Sequence, residues 1–477
     1  MGSSVASTMH SIAFDPADPK ASLAALPQRP AVFALYFEGS PTDRSVGPGA
    51  DADAEPYIGR TPSLRGRLLR LLQPSARHPR RLQLAGRVRR IAWRLTGSDF
   101  EALLLQFELL QEVYGPKSLD RMHLRAPAFI RYLGGNPYPR IVVTNRPSQR
   151  EAEWAYGPFA SRASAERFAD EALKLFLLRR CIDDLHPDPS HPGCVYSEMK
   201  MCLAPCYKGC TDERYGQEAT AVESFLATRG ESRLVQLRTQ REEASANLEF
   251  ETAAALHAQV QKVESIRALA PELVRPMNQL RAVILQPSAQ LDEVAVFLFE
   301  NGRLRGPAAF STLGMRIQNE RSGSSSLFAH PVAVEAIPET PHPAAPNPDT
   351  HDPEAPDPVA SAPGIAPGPA PAEAPAQTVK VARGVLESRM EAALDQMTQS
   401  AELPHAVLRQ AHLALLKRWY YRPEVKRIGE IFFPEEDGGW PVKAMLRAVG
   451  RVYLGNLKPG SPDHVDPEPG NSGSAAG

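Results

Sequence analysis

The chain has 477 residues, of which 43% are hydrophobic, so it is long enough to build several domains with apolar cores. Its 54 basic and 55 acidic residues nearly cancel, which excludes a polycation that binds nucleic acid by bulk charge alone. Because the sequence contains no run of about 18 apolar residues and no recognisable targeting segment, we expect a cytoplasmic protein with no membrane partner.

The first 125 residues predict a disordered tail followed by a small α/β domain. Residues 1–29 are polar and rich in Ala and Pro, as expected of a tail. In residues 30–125, apolar runs at 31–37, 56–60 and 88–95 predict strands. The segments 61–72 and 98–114 have helical spacing, with Thr61 as a cap and Pro62 in the first turn. This order of elements is typical of a small α/β or α+β domain.

Arginine is concentrated in this domain. The segment from Arg60 to Arg94 contains eleven arginines and no acidic residue. On the predicted helix at 61–72, Arg65, Arg67 and Arg70 alternate with leucines. An ordinary solvated face is the alternative, but so many positive charges without an acid favour binding to a phosphate backbone.

The segment 126–215 contains all five cysteines, with the spacing C-x12-C-x7-C-x3-C-x3-C. An odd number of cysteines without a signal peptide disfavours disulfides, and the gaps do not form the paired knuckles of structural zinc. Four thiolates at irregular spacing suit an iron–sulfur cluster, although reduced buried thiols remain the alternative. A strand at 139–144, a turn with packing residues Tyr156 and Phe159, and a helix at 164–178 are predicted to precede Cys181.

Residues 216–272 are predicted to be a helical hairpin, because 232–268 contain neither proline nor glycine. Leu248, Phe250 and Leu256 provide apolar anchors, and Ala253 and Ala254 permit close approach of a partner helix. A hairpin buried inside a bundle is the alternative.

The remaining sequence predicts a small β segment, a linker and a C-terminal segment. Residues 273–330 contain strand patterns at 282–285, 294–299 and 308–310, with Asn301-Gly302 as a hairpin turn. Residues 331–380 hold fourteen prolines and seven acids, which predicts a disordered, extended linker. Residues 381–457 should be mostly helical with a short strand, and 458–477 a disordered tail. The predicted fold class is therefore multidomain α+β.

The cysteine region resembles that of the UvrC family, the incision subunit of bacterial nucleotide excision repair. The shared pattern is Arg-Arg-Cys181, Pro-Gly-Cys194 and Lys-Met-Cys202-Leu-Ala-Pro-Cys206. The resemblance implies a 4Fe–4S cluster on these four cysteines, with zinc as the alternative. Cys210 is additional, as either a substitute ligand or a free thiol.

Residues 242–256 resemble the UVR motif of the same family. In that family the motif is a helical hairpin that pairs with the matching hairpin of UvrB. The resemblance therefore implies UvrB as a partner. The residues that it implies for this contact are Leu248, Phe250, Glu251, Ala254 and Leu256. His257 and Ala258 replace the usual Arg-Asp pair, so one ionic contact is expected to be missing.

The N-terminal domain resembles the GIY-YIG nuclease domain of the UvrC family through Tyr57-Ile58-Gly59-Arg60 and Leu64-Arg65. The resemblance implies that Tyr57 orients or activates the attacking water and that Arg65 clamps the scissile phosphate, while a carboxylate holds one Mg²⁺ or Mn²⁺ ion. Arg60 stands where the family has lysine. Arg60, Arg65, Arg67 and Arg70 are the expected DNA contacts.

Three positions depart from the nuclease pattern. Phe33 replaces the tyrosine of the first motif, Gln106 replaces the metal-binding glutamate, and Leu119 replaces an asparagine. A neutral amide is a poorer Mg²⁺ ligand than a carboxylate. Glu101 and Glu108 remain on the helix, but Glu108 is about 200° from Gln106 around the helix axis and cannot replace it directly.

The sequence thus predicts a UvrC-like repair protein that binds DNA and UvrB and has a weak or inactive nuclease site. Two alternatives are an active endonuclease that makes a single cut and a regulator that competes for UvrB without binding DNA. The resemblance covers residues 30–315 and, weakly, 381–455. It includes no counterpart of the family's second, RNase H-like nuclease.

Overall fold

The computed structural model describes residues 8–37, 55–72, 84–146, 155–182, 184–315, 381–398 and 404–456. The chain divides into two units, Met1–Thr312 with Gly384–Gly477, and Leu313–Arg383. The described residues of the first unit form a mixed α+β structure with three four-stranded antiparallel sheets and a helical hairpin. Among the described helices, none has the length and apolar character needed to cross a bilayer.

The first sheet has the strand order β1-β4-β2-β3. Its elements in chain order are β1 (His10–Ala13), α1 (Pro19–Ala24), β2 (Ala31–Phe37), β3 (Tyr57–Thr61), α2 (Leu64–Leu72), β4 (Val88–Leu95), α3 (Asp99–Tyr114) and α4 (Ser118–Met122). The strand bounds predicted at 31–37 and 88–95 are confirmed, as is the helix after Ser98, whose hydroxyl accepts a hydrogen bond from the Glu101 amide at 3.1 Å.

Two predictions for this region were wrong. Residues 10–13 and 19–24 are not a tail, because they form β1 and α1, and Leu23 is buried in the domain core. The second helix begins at Leu64 rather than at Pro62. Thr61 is the last residue of β3, and its hydroxyl accepts a hydrogen bond from the Ser63 amide at 3.2 Å before the helix starts.

Helices cover both faces of this sheet. Phe33 packs with Leu64 of α2 on one face, whereas Val32 packs with Leu105 of α3 on the other. Because side chains alternate along a strand, β3 divides its residues between the two faces. Tyr57 lies on the face that carries Phe33, and Arg60 lies on the face that carries α3.

The second sheet, of order β6-β5-β7-β8, supports the cysteine region. Its strands and the neighbouring helices are β5 (Ala128–Tyr132), β6 (Ile141–Thr144), β7 (Ala155–Phe159), α5 (Arg162–Leu173), α6 (Val195–Glu198), α7 (Asp212–Ala227) and β8 (Arg275–Pro276). Tyr156 and Phe159 pack against the Phe168 ring, as predicted, but they lie in a strand rather than a turn, because β7 pairs with β5.

The helix predicted at 164–178 ends earlier, at Leu173. The chain that follows buries Phe176 and Leu178, and the Leu177 amide donates to Glu218 Oε1 of α7 at 2.7 Å. This tertiary hydrogen bond replaces the helical one and leads the chain directly to the first cysteine.

The predicted helical hairpin is confirmed as α8 (Glu231–Ala246) and α9 (Phe250–Arg267). Leu234 and Val263 are among the fully buried residues at its base. An ion pair of 2.9 Å between Arg238 and Glu264 joins the two helices. The turn contains Leu248, whose φ of 62° lies in the left-handed region.

The third sheet, of order β11-β10-β9-β12, joins two distant parts of the chain. Its elements are β9 (Ala282–Pro287), β10 (Glu293–Glu300), β11 (Arg303–Ser311), α10 (Arg383–Thr398), α11 (Ala406–Tyr420), β12 (Glu430–Phe432) and α12 (Val442–Asn456). The Asn301-Gly302 turn is confirmed, with φ of 52° and 74°. Since β12 pairs with β9, residues 404–456 complete the sheet begun at residue 282. The predicted linker at 331–380 lies outside the described residues.

Candidate functional site

Phe33, Tyr57 and Gly59 form one contact on the α2 face of the first sheet. The rings of Phe33 and Tyr57 have centroids 6.1 Å apart, and a Cβ added at Gly59 would lie 2.9 Å from the Phe33 ring. Phe33 is only 1% exposed, whereas Tyr57 is 39% exposed. The Tyr57 hydroxyl is therefore available to a ligand, but the neighbouring ring offers no second hydroxyl.

Three of the predicted DNA-binding arginines lie on α2, the helix that follows β3 in the chain. Arg65 lies in the first turn of the helix and is partly buried, as is Arg67. Arg70 lies in the last turn, is exposed, and donates its Nε to the Gly66 carbonyl at 3.1 Å. All three arginines therefore belong to one short helix, which packs on the sheet face that carries Tyr57.

Arg60 is not grouped with Tyr57 and Phe33. It lies on the α3 face, where its guanidinium pairs with Asp99, the first residue of α3. The second carboxylate oxygen of Asp99 pairs with Arg422, which follows α11. Burial, together with the positive charges of Arg418 and Arg422, lowers the pKa of Arg60 to about 10.

Gln106 is partly buried on α3, at the edge of the helix face that packs on Val32. Its amide offers a neutral oxygen where a divalent metal would favour a carboxylate. Glu101 is buried and accepts a hydrogen bond from the Gly97 amide at 2.8 Å. Burial raises the pKa of both Glu101 and Glu108 to about 7, against the lowering effect of Arg94. The positive charge of Arg94 therefore acts on both carboxyl groups.

Four of the five cysteines line one cavity. Cys181, Cys194, Cys202 and Cys206 surround it together with Arg179 and Arg180. Backbone geometry supports this arrangement, since the Ala204 amide donates to Cys202 Sγ at 3.2 Å. The Arg179 guanidinium likewise donates to Cys181 Sγ at 3.4 Å. Donors of this kind stabilise thiolates and orient metal ligands.

The donor set fits a four-thiolate group, but the side chains are not arranged as a finished ligand set. The cavity volume is about 10 Å³, about the space of one water molecule. Within the described ranges, no three His, Cys, Asp or Glu side chains converge closely enough to hold one ion. To bind a cluster, the cysteine side chains would therefore have to rotate so that their sulfur atoms converge on one site. All five cysteines are free thiols, and Cys210 lies outside the cavity lining, near Asp212.

The turn of the α8–α9 hairpin presents apolar side chains to solvent. Leu248 is 70% exposed and Phe250 is 67% exposed. Glu251 and Ala254 are also exposed, whereas Leu256 is partly buried and packs on the core of the hairpin base. Four of the five predicted partner-binding residues are thus accessible. Large exposed apolar groups at a fixed tip are typical of an interaction site.

Sequence reasoning missed the residues that meet at Asp99. The acid was visible only as part of a helix start, and Arg418 and Arg422 lie more than 300 residues further along the chain. Their proximity depends on the packing of α11 beside α3, in which Trp419 contacts Phe100. A long-range contact of this kind has no local sequence signal.

Comparisons with known proteins match the central part of the chain. Residues 129–225 match the family profile described as "UvrC/Cho excinuclease, middle domain", and residues 231–266 match the "UvrB/uvrC motif". The first segment contains the cysteine cavity, and the second contains the hairpin. No solved structure gives a significant match.

Similar curated proteins carry the description "UvrABC system protein C". The protein from Alcanivorax borkumensis is 28% identical over 254 residues, which are 53% of this chain and 41% of that protein. Those from Ruminiclostridium cellulolyticum and Pseudomonas aeruginosa are 29% and 27% identical, over 53% and 51% of this chain and 42% and 38% of their own lengths. The chain therefore spans about two fifths of the length of these relatives.

Proposed function

Because the chain is a UvrC-family protein that carries the family's middle domain and UVR motif, we propose that it acts in bacterial nucleotide excision repair by binding UvrB and DNA. It would do so in the cytoplasm. The observation that carries the proposal is the exposed apolar tip of the α8–α9 hairpin, which falls inside the matched motif. Two large apolar side chains, Leu248 and Phe250, are exposed at the same tip, and this favours a partner surface.

The hairpin binds as a preformed unit. Buried residues at its base and the Arg238–Glu264 ion pair hold the two helices together, so docking costs little ordering entropy. Phe250 begins α9, and Ala254 lies one turn later on the same side. A matching helical hairpin of UvrB can pack its apolar side chains against this strip.

DNA binding is assigned to the arginines of α2. Arg65, Arg67 and Arg70 lie on the helix that covers the sheet face of the exposed Tyr57, and none of them has an acidic neighbour within that helix. Guanidinium groups suit phosphate oxygens because they donate in a planar fork. This binding should weaken as salt rises, since each contact releases counterions.

The N-terminal domain is proposed to have a GIY-YIG nuclease fold with weak or no activity. Phe33 supplies a ring without a hydroxyl, and Gln106 supplies an amide in place of a carboxylate. These residues do not fit a Mg²⁺ or Mn²⁺ ion well, so no metal-dependent step is assigned. The exposed Tyr57 and the presence of Arg65 in the first turn of α2 favour the alternative, an endonuclease that makes a single cut. If only the metal ligand is lost, Gln106→Glu should raise Mg²⁺-dependent cleavage.

The cysteine cavity is proposed to hold a 4Fe–4S cluster, with zinc as the alternative. Cys181, Cys194, Cys202 and Cys206 would supply the four thiolates. Such a cluster supplies a covalent cross-link and, when iron is present, a one-electron redox centre. In the chain itself, the Ala204 amide and the Arg179 guanidinium orient and stabilise the sulfur atoms.

The proposal is tested by titrating purified UvrB into the protein by calorimetry, and a duplex DNA into the protein at several salt concentrations. A saturable UvrB complex together with salt-dependent DNA affinity is expected. UvrB binding without DNA binding would instead indicate a regulator that competes for UvrB. Absence of a UvrB complex would contradict the proposal.

A further inference from the structure

At the start of α3, charged side chains from the N-terminal domain meet charged side chains from the C-terminal segment. The group consists of Asp99, Arg60 from β3, and Arg418 and Arg422 from the region of α11; we call it the Asp99 cluster. Arg60 and Arg422 each pair with a different oxygen of the Asp99 carboxylate. Arg418 lies in the last turn of α11, four residues before Arg422, and is exposed. The cluster thus contains three guanidinium groups and one carboxylate.

Positive charge in the cluster exceeds what Asp99 can neutralise. Burial and the charges of Arg418 and Arg422 lower the pKa of Arg60 to about 10, which still leaves its guanidinium protonated at neutral pH. The side chains of Arg60 and Arg422 are 25% and 30% exposed, so their remaining donors can reach a ligand in solvent. An arriving anion would relieve repulsion that is already present.

The cluster is also held in place before any ligand arrives. Trp419, which lies between Arg418 and Arg422 in sequence, is buried against Phe100 in the first turn of α3. Asp99 fixes two of the three guanidinium groups. The amino terminus of the 16-residue helix α3 points its partial positive charge at the same place.

We propose that the Asp99 cluster binds a phosphate of the DNA backbone, so that the C-terminal segment and the N-terminal domain hold the duplex together. Each guanidinium group donates in a planar fork that suits the oxygens of a phosphodiester, and the cluster supplies three of them. The cluster lies on the opposite sheet face from Tyr57, so it adds a contact separate from the arginines of α2. This inference rests on the proposed DNA-binding function.

The test uses the full chain with Arg418→Ala, Arg422→Ala or, as a control, Arg447→Ala. Arg447 is an exposed arginine of α12, so the control removes the same charge from another helix of the C-terminal segment. Affinity for a fluorescent duplex is measured by anisotropy between 50 and 200 mM salt. Each cluster variant should reduce the slope of log K against log salt by about 0.9, the value for one phosphate contact, whereas the control should match the wild type.

The outcomes separate the two proposals. If the wild type binds DNA with a salt-dependent affinity but both cluster variants behave like Arg447→Ala, the inference is wrong and the proposed function stands. If the wild type shows no such binding, the proposed function fails and the inference fails with it. Thermal unfolding shows whether Arg422→Ala, which loses its pairing with Asp99, remains folded. Should it unfold, Arg418→Ala decides the question, because the exposed Arg418 side chain lies outside the two ion pairs of Asp99.

Discussion

Replacing Phe250 by alanine should weaken UvrB binding without destabilising the protein. Phe250 is 67% exposed in the free chain, so burying its exposed surface in a complex would remove about 100 Å² of apolar area from water. At about 25 cal/mol per Å², this burial contributes about 2.5 kcal/mol, or about 60-fold in Kd. The free energy of unfolding should change by less than about 0.5 kcal/mol, because an exposed side chain makes few contacts in the folded state.

The matched control is Val235→Ala. Val235 is 55% exposed and lies on α8 of the same hairpin, but away from the tip. Calorimetric titration of UvrB should give a Kd within about twofold of the wild type for this variant. Equal affinities for the wild type, Phe250→Ala and Leu248→Ala would refute the assignment of the tip as the docking surface. An equal loss in all variants, including the control, would instead point to the hairpin as a whole.

Three further predictions concern the fold and the cysteines. Gly97→Ala should lower the free energy of unfolding by about 2–3 kcal/mol in denaturant titrations, because the new Cβ would overlap backbone atoms of Ser288. Burial raises the pKa of Glu101 from 4.5 to about 7, so the native state binds more protons than the unfolded state between these values. Stability should therefore fall as pH rises from about 4.5 to about 7 and then level off, and Glu101→Gln should reduce this slope in pH-dependent unfolding. Cys202→Ser should lose bound metal, measured by elemental analysis and visible absorbance, whereas Cys210→Ser should retain it, since Cys202 lines the cavity and Cys210 does not.

The sequence predicted those parts of the fold that depend on interactions between residues close together in the chain. The apolar run at 31–37 gave the bounds of β2, and the helical spacing at 98–114 gave those of α3 to within one residue, because both patterns depend on neighbouring residues. The end of α5 could not be predicted, because the Leu177 amide bonds to Glu218, 41 residues later. The tail predicted at 1–29 was wrong at residues 10–13 and 19–24 for a similar reason, since the core that buries Leu23 includes residues of α2 and β4.

In the candidate sites too, the sequence indicated local features but not the contacts that depend on the fold. The family resemblance named Cys181, Cys194, Cys202 and Cys206 as ligands and left the role of Cys210 open. In the structure those four cysteines line one cavity, and Cys210 lies outside its lining. The motif at Tyr57 and Arg60 placed both residues on one strand. It did not indicate that the alternation of that strand turns Arg60 to the opposite face, where it meets Asp99.

An incision assay shows whether the N-terminal domain has lost its nuclease activity. A lesion-bearing, end-labelled duplex is incubated with UvrA, UvrB, ATP and Mg²⁺, together with the wild type or Arg65→Ala, and UvrB capture is followed in the same samples. With a weak or inactive nuclease site, we expect a retained UvrB complex and little or no cleavage by either protein. A discrete cut beside the lesion that is made by the wild type and lost in Arg65→Ala would contradict this expectation, because the site would then function despite Phe33 and Gln106.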